Sequence, residues 1–226
     1  MTLTVQEHRS PNQGPRPEAI AIDMLVLHYT GMESTAAALE RMCDPEAAVS
    51  AHYLIDEDGA VTRLVEETER AWHAGKSYWR GDTNINDRSI GIELANPGHE
   101  FGYRPFPDAQ LAALTDLALA VLSRHAIPAR NVVGHSDIAP DRKQDPGELF
   151  DWRRLADAGV GIWPQPKPAP GEALMGLLQE IGYDPAADRS VAAFQRHFRP
   201  DRVDNRPDGE TASLAAGLRA AITTKG

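Results

Sequence analysis

Ile20-Ala-Ile-Asp-Met-Leu-Val-Leu-His-Tyr29 is a largely apolar run of strand length, with several β-branched residues and a histidine near its end. It reads as a buried strand. After it, Ser34 and Thr35 can cap an Ala-rich helix running to about Met42. Residues 51–56 and 60–65 are strand-like and joined through Asp58-Gly59, a hairpin signal. Ser89-Ile-Gly-Ile-Glu-Leu-Ala95 is a further strand. Its alternation puts Ile90, Ile92 and Leu94 on one face and Gly91 with Glu93 on the other. Pro107 and Asp108 open a helix to about His125, and Asn131-Val-Val-Gly-His135 reads as a short strand ending in histidine. The expected fold is α/β, a mixed central sheet covered by helices.

Ile162-Trp-Pro-Gln-Pro-Lys-Pro-Ala-Pro-Gly171 marks a boundary, because proline at every second position favours extended backbone. The chain thus divides into residues 1–161 with an arm at 1–19, a linker at 162–171, and a tail at 172–226. The tail is expected to form three helices, 172–181, 187–197 and 211–222, a bundle near the size limit for independent folding. Residues 1–165 carry 25 acidic and 15 basic side chains, and residues 166–226 carry eight of each. The formal net charge of −10 argues against a nucleic-acid partner and against attachment to anionic lipid. Cys43 is the single cysteine, so no intramolecular disulfide can form, and a small core residue near a helix end is its simplest role. No run approaches the roughly 18 apolar residues of a membrane span, and the polar segment 1–17 lacks a secretory h-region. A cytoplasmic location is therefore expected, with the cell envelope as the alternative.

The eight histidines differ in what they suggest. His8, His99 and His125 read as surface residues, His52 as a core or supporting residue, and His197 as structural within the tail. His28 and His135 each end a short apolar strand, at a sheet edge where sites commonly gather. The polar loop after His135 contains Asp145. Two imidazoles and a carboxylate suit a catalytic zinc site with a fourth position for water. A purely structural role for these histidines stands beside that reading.

Taken in order, His28-Tyr-Thr-Gly31, Val49-Ser-Ala-His-Tyr-Leu-Ile55, Trp72-His-Ala-Gly75, Asn86-Asp-Arg-Ser-Ile-Gly-Ile-Glu-Leu94 and Val133-Gly-His-Ser-Asp137 with Lys143-Gln-Asp-Pro-Gly147 closely resemble the zinc-dependent N-acetylmuramoyl-L-alanine amidases of the AmpD/AmiD type. Peptidoglycan recognition proteins and phage amidases belong to the same superfamily. The resemblance covers about residues 8–160. The tail, with Leu177-Leu-Gln-Glu-Ile-Gly-Tyr183 and Ala192-Ala-Phe-Gln-Arg-His-Phe198, looks like a three-helix peptidoglycan-binding module.

The resemblance implies that His28, His135 and Asp145 bind Zn2+, that Glu93 is the catalytic acid/base, and that Lys143 stabilises the oxyanion. It implies hydrolysis of the amide between N-acetylmuramic acid, or its 1,6-anhydro form, and L-alanine of the stem peptide, in peptidoglycan or in muropeptides. A non-catalytic peptidoglycan-binding protein is the competing class, since fold alone does not fix function. Trp72 and His73 either line the substrate groove or pack beneath it. Asn84, Asn86 and Asp87 read as loop-forming residues, and Asp137 as a residue that orients the loop behind His135. Ala51 stands where recognition-protein and phage relatives carry a catalytic tyrosine, so that chemistry does not carry over.

Overall fold

The computed structural model describes residues 4–169 and 173–224. The expected mixed α/β architecture is present. Its strands are β1 (Val5–Glu7), β2 (Gln13–Pro15), β3 (Met24–Tyr29), β4 (Tyr53–Ile55), β5 (Val61–Arg63), β6 (Glu69–Ala71), β7 (Ser89–Leu94) and β8 (Val132–Gly134). Six of them form one sheet in the order β1-β5-β4-β7-β3-β8, and β2 pairs with β6 in a small antiparallel ribbon. The centre is parallel, with β4, β7, β3 and β8 running together. The 53–63 hairpin reverses direction at β5. Gly59 sits in that reversal at φ +88, where a side chain would be strained.

The helices are α1 (Thr35–Cys43), α2 (Ile85–Arg88), α3 (Gly98–Phe101), α4 (Asp108–Arg124), α5 (His135–Ile138), α6 (Trp152–Asp157), α7 (Leu174–Ile181), α8 (Ser190–Phe198) and α9 (Gly209–Thr224). Ser34 caps α1 as its sequence suggests, its hydroxyl accepting from Ala37 N–H. No helix among the described residues is long and apolar enough to cross a membrane.

Alternation along β3 divides its side chains between two cores. Leu25 and Leu27 join Ile90, Ile92 and Leu94 of β7 beneath α4, with Leu111, Leu114, Leu117 and Val121. Met24 and Val26 face the other way, where they share a cluster with Trp79, Val133, Leu177, Leu178, Ile181 and Phe194. The tail helices thus bury their apolar faces in a cluster held in common with the sheet. The linker also lies on the tail. Lys167 N–H donates to Ser213 C=O, and the Ser213 hydroxyl donates to Lys167 C=O. Gly217 admits the Gln165 carbonyl so closely that an added Cβ would lie 2.0 Å from its oxygen.

Several boundaries differ from the sequence reading. Strand β3 begins at Met24 rather than Ile20, because Asp23 turns its carboxylate to the Arg88 guanidinium (Nε to Oδ1 2.7 Å). His135 is not the end of a strand. Strand β8 stops at Gly134, and His135 opens α5. The arm and residues 69–71 contribute short strands that no periodicity announced, since three residues are too few to show one. Of the tail helices, α7 starts at Leu174, α8 at Ser190 and α9 at Gly209. The expected start at residue 172 lies outside the described residues.

Candidate active site

The register of the central strands assembles the site. His28 of β3 lies beside Glu93 of β7, and Leu27 pairs with Gly134, which brings His135 alongside His28. Asp145 arrives from the following loop, where Ser136 N–H donates to the Asp145 carbonyl (2.9 Å). Only glycine fits at 134, since an added Cβ would lie 2.7 Å from the Pro146 ring.

His28 Nδ1, His135 Nδ1 and Asp145 Oδ2 form a triangle with each side 3.0 Å. All three residues are buried. The hydrogen-bond partners on the far side assign the imidazole protons. His135 Nε2 donates to Ala74 C=O (3.1 Å), leaving a bare lone pair at Nδ1. For His28 the assignment runs through three groups. The Ser89 hydroxyl donates to Ile85 C=O (2.7 Å), so its oxygen accepts from His73 Nε2 (3.1 Å). His73 Nδ1 then accepts from His28 Nε2 (3.0 Å), and His28 Nδ1 is also bare.

Two lone pairs and a carboxylate oxygen facing one another repel unless a cation lies among them. The separations are close to the roughly 3.3 Å expected between tetrahedral ligands with bonds of about 2.0–2.1 Å. The donor set therefore fits a small divalent ion of borderline softness. Burial, together with the neighbouring His135, holds the His28 pKa at about 4, so its imidazole is neutral at neutral pH, as a ligand must be.

Glu93 is half-buried, with Oε2 shut off from solvent and without a hydrogen-bond partner. Burial and the charge of Asp145 push its pKa well above the usual value, against the opposing pull of Lys143. A carboxyl with its pKa raised in this way is suited to exchanging a proton during a reaction. Glu93, Lys143, Trp72 and His73 line one open groove. Trp72 belongs to the groove wall. His73 does so too, but it also packs under the site as the partner of His28. Gly91 makes room for it, because a Cβ there would lie 2.5 Å from the His73 ring.

His99, expected at the surface, is part of this wall. It holds Glu148 through Nε2 (3.1 Å) and Tyr29 through Nδ1 (2.8 Å), and stacks on Tyr103. His52 is a core residue as expected, its Nδ1 accepting from Gly91 N–H (2.9 Å). Asn86 braces the backbone, accepting from His73 and Ala74 N–H, while Asp87 pairs with Arg70. His125, the C-cap residue of α4, pairs with Glu67 (2.7 Å).

The N-acetylmuramoyl-L-alanine amidase family profile matches residues 18–148. The chain belongs to that family. It is 39% identical to the amidase AmiD of Escherichia coli over 87% of this chain and 82% of the relative. It is 35% identical to the 1,6-anhydro-N-acetylmuramyl-L-alanine amidase AmpD of Haemophilus influenzae over 65% of this chain and 87% of that protein. Among solved structures, Escherichia coli AmiD in complex with the substrate anhydro-N-acetylmuramic acid-L-Ala-D-gamma-Glu-L-Lys superposes with a TM-score of 0.80. That match covers 91% of this amidase and 92% of the other chain at 38% identity. AmpDh3 of Pseudomonas aeruginosa in complex with anhydromuramic pentapeptide also gives 0.80, covering 95% and 98% at 33% identity.

Proposed function

We propose that this amidase uses zinc, held by His28, His135 and Asp145, to hydrolyse the amide between N-acetylmuramic acid, or its anhydro form, and L-alanine in muropeptides. The observation that carries the reading is the triangle of unprotonated donors beside an unpartnered Glu93. Zinc bound there supplies Lewis acidity, polarising the amide carbonyl and making a water acidic enough to react near neutral pH. Glu93 takes the water proton and returns it to the departing alanine nitrogen. Lys143 places positive charge on the groove wall where negative charge develops in the tetrahedral intermediate. Trp72 supplies a flat apolar face for the substrate, and His73 holds His28 in the tautomer that leaves Nδ1 free. A non-catalytic binder has no use for a half-buried carboxyl with one enclosed, unpartnered oxygen beside three convergent donors, which favours catalysis.

The test is release of free stem peptide from a soluble anhydro-muropeptide by the zinc-loaded protein. Wild type should release it, and Glu93→Gln should retain zinc while kcat falls about 10²–10⁴-fold. Binding without release by the wild type would sink the reading. The same assay on intact sacculi separates polymer from soluble substrate. Peptidoglycan binding by the tail and a cytoplasmic location belong to this proposal as well. Sedimentation with sacculi tests the first, and cell fractionation the second.

A further inference from the structure

Asp137 is a fully buried carboxylate two residues beyond the proposed ligand His135, and its partners come both from its own loop and from the tail. Oδ2 accepts from Gly134 N–H (2.7 Å) and from His197 Nδ1 (2.7 Å). Oδ1 accepts from the Tyr183 hydroxyl (2.7 Å). Gly134 is the residue immediately before His135, while Tyr183 and His197 belong to the tail.

The His197 ring cannot swivel freely. It is stacked on Trp152 at 3.7 Å on an interplanar angle of 20°, and on Phe198 at 3.8 Å and 9°. The direction of its Nδ1–H is therefore set by packing before the hydrogen bond is made. Tyr183 is held likewise, edge-on to Trp79 and Phe194. A second tie lies further along the same loop, where Asp141 accepts from the backbone N–H of Asp188 (3.3 Å) and Arg189 (2.8 Å). The segment between His135 and Asp145 is thus fastened to residues of the tail at two points, Asp137 and Asp141.

We infer that Asp137, His197 and Tyr183 are positioning residues for the metal centre, and that the tail helices hold the ligand loop in its binding geometry. The fixed rings of the tail orient Asp137, Asp137 fixes the Gly134 peptide, and that peptide sets where His135 leaves β8. Since Ser136 N–H also bonds the Asp145 carbonyl, the same brace reaches the second ligand of the loop. This inference rests on His135 being a metal ligand. Outer partners of ligands commonly change metal affinity by about 10–100-fold.

The experiment measures zinc affinity of the full-length protein by competition with a chromophoric chelator, with denaturant unfolding measured in parallel. His197→Phe keeps the aromatic stack and removes the donor, while His197→Asn restores a donor near the Nδ1 position. His197→Phe should bind zinc about 10–100-fold more weakly, with His197→Asn returning towards the wild-type value. Equal zinc affinity in His197→Phe and wild type would overturn the inference. So would weakening in His197→Asn alone, which would mark the ring as packing alone. If His197→Phe does not fold, Tyr183→Phe gives the reading, since it deletes one hydroxyl; wild-type affinity there would also overturn it. His135→Ala separates the two levels, because tight zinc binding by that variant would remove the ligand assignment itself.

Discussion

His135 and Asp137 stand two residues apart, both buried among histidines and carboxylates, yet their surroundings are opposites. Around His135 Nδ1 the neighbouring polar atoms are acceptors, and three lone-pair donors meet with no proton to share among them. Around Asp137 every partner brings a hydrogen, and the carboxylate is satisfied by Gly134, His197 and Tyr183. Residue type alone does not separate the two clusters. What separates them is where the outward-facing nitrogens spend their protons, on Ala74 and His73 in the first case and on Asp137 in the second. A metal centre is marked by the lone pairs that remain.

The sharpest way to break this contrast is His28→Ala. Removing one of three donors should lose bound zinc and lower turnover by about 10³-fold or more, the equivalent of several kcal/mol. Metal analysis of the purified variant decides it, and stoichiometric zinc would contradict the assignment. Asp137→Ala probes the satisfied cluster and should act on stability, by about 2–4 kcal/mol, because three buried donors lose their acceptor. Denaturant titration gives the number, and a change below about 0.5 kcal/mol would mean the cluster is not cohesive.

Gly91→Ala attacks the first cluster from behind. The added methyl displaces His73, costing about 1–3 kcal/mol of stability and weakening zinc binding without touching a ligand. Unaltered zinc affinity would show that His73 does not steer His28. The smallest effect is expected at Glu67, a satisfied carboxylate near the surface. Burial opposes its ionisation, yet hydrogen bonds from Arg124, Tyr53 and His125 bring its pKa down to about 2. Its contribution is present above the ordinary value of about 4.5 and is lost as pH falls towards 2. Glu67→Gln should therefore reduce stability at neutral pH, by on the order of 1 kcal/mol once solvent screening is allowed for, and flatten the loss between those two pH values. An unchanged acid limb would refute it.

The strands that carry the site were the legible part of the fold. Alternation in 89–95 correctly separates Glu93 from the isoleucines, and the apolar run before His28 identifies β3. The order β4-β7-β3-β8 is not written in any local pattern, because parallel neighbours are chosen by which faces the helices cover. Of the site, the groups proposed as ligands and as acid/base follow from residue types at strand ends and from motif resemblance. The chain of Ile85, Ser89, His73 and His28 does not, since its links come from three separate stretches of the backbone. Gly91 was its one visible trace, a residue without a side chain two positions before Glu93.

The segment at 162–169 has the composition of an extended spacer, but it lies along α9, with Lys167 bonded to Ser213 and Gln165 seated against Gly217. A protease cutting there would find that the two halves do not part, since the apolar cluster shared by sheet and tail remains closed around the nick. For the same reason the C-terminal helices are a poor cassette for domain shuffling. Grafting another protein's tail onto this sheet would have to match one flat glycine as well as a core.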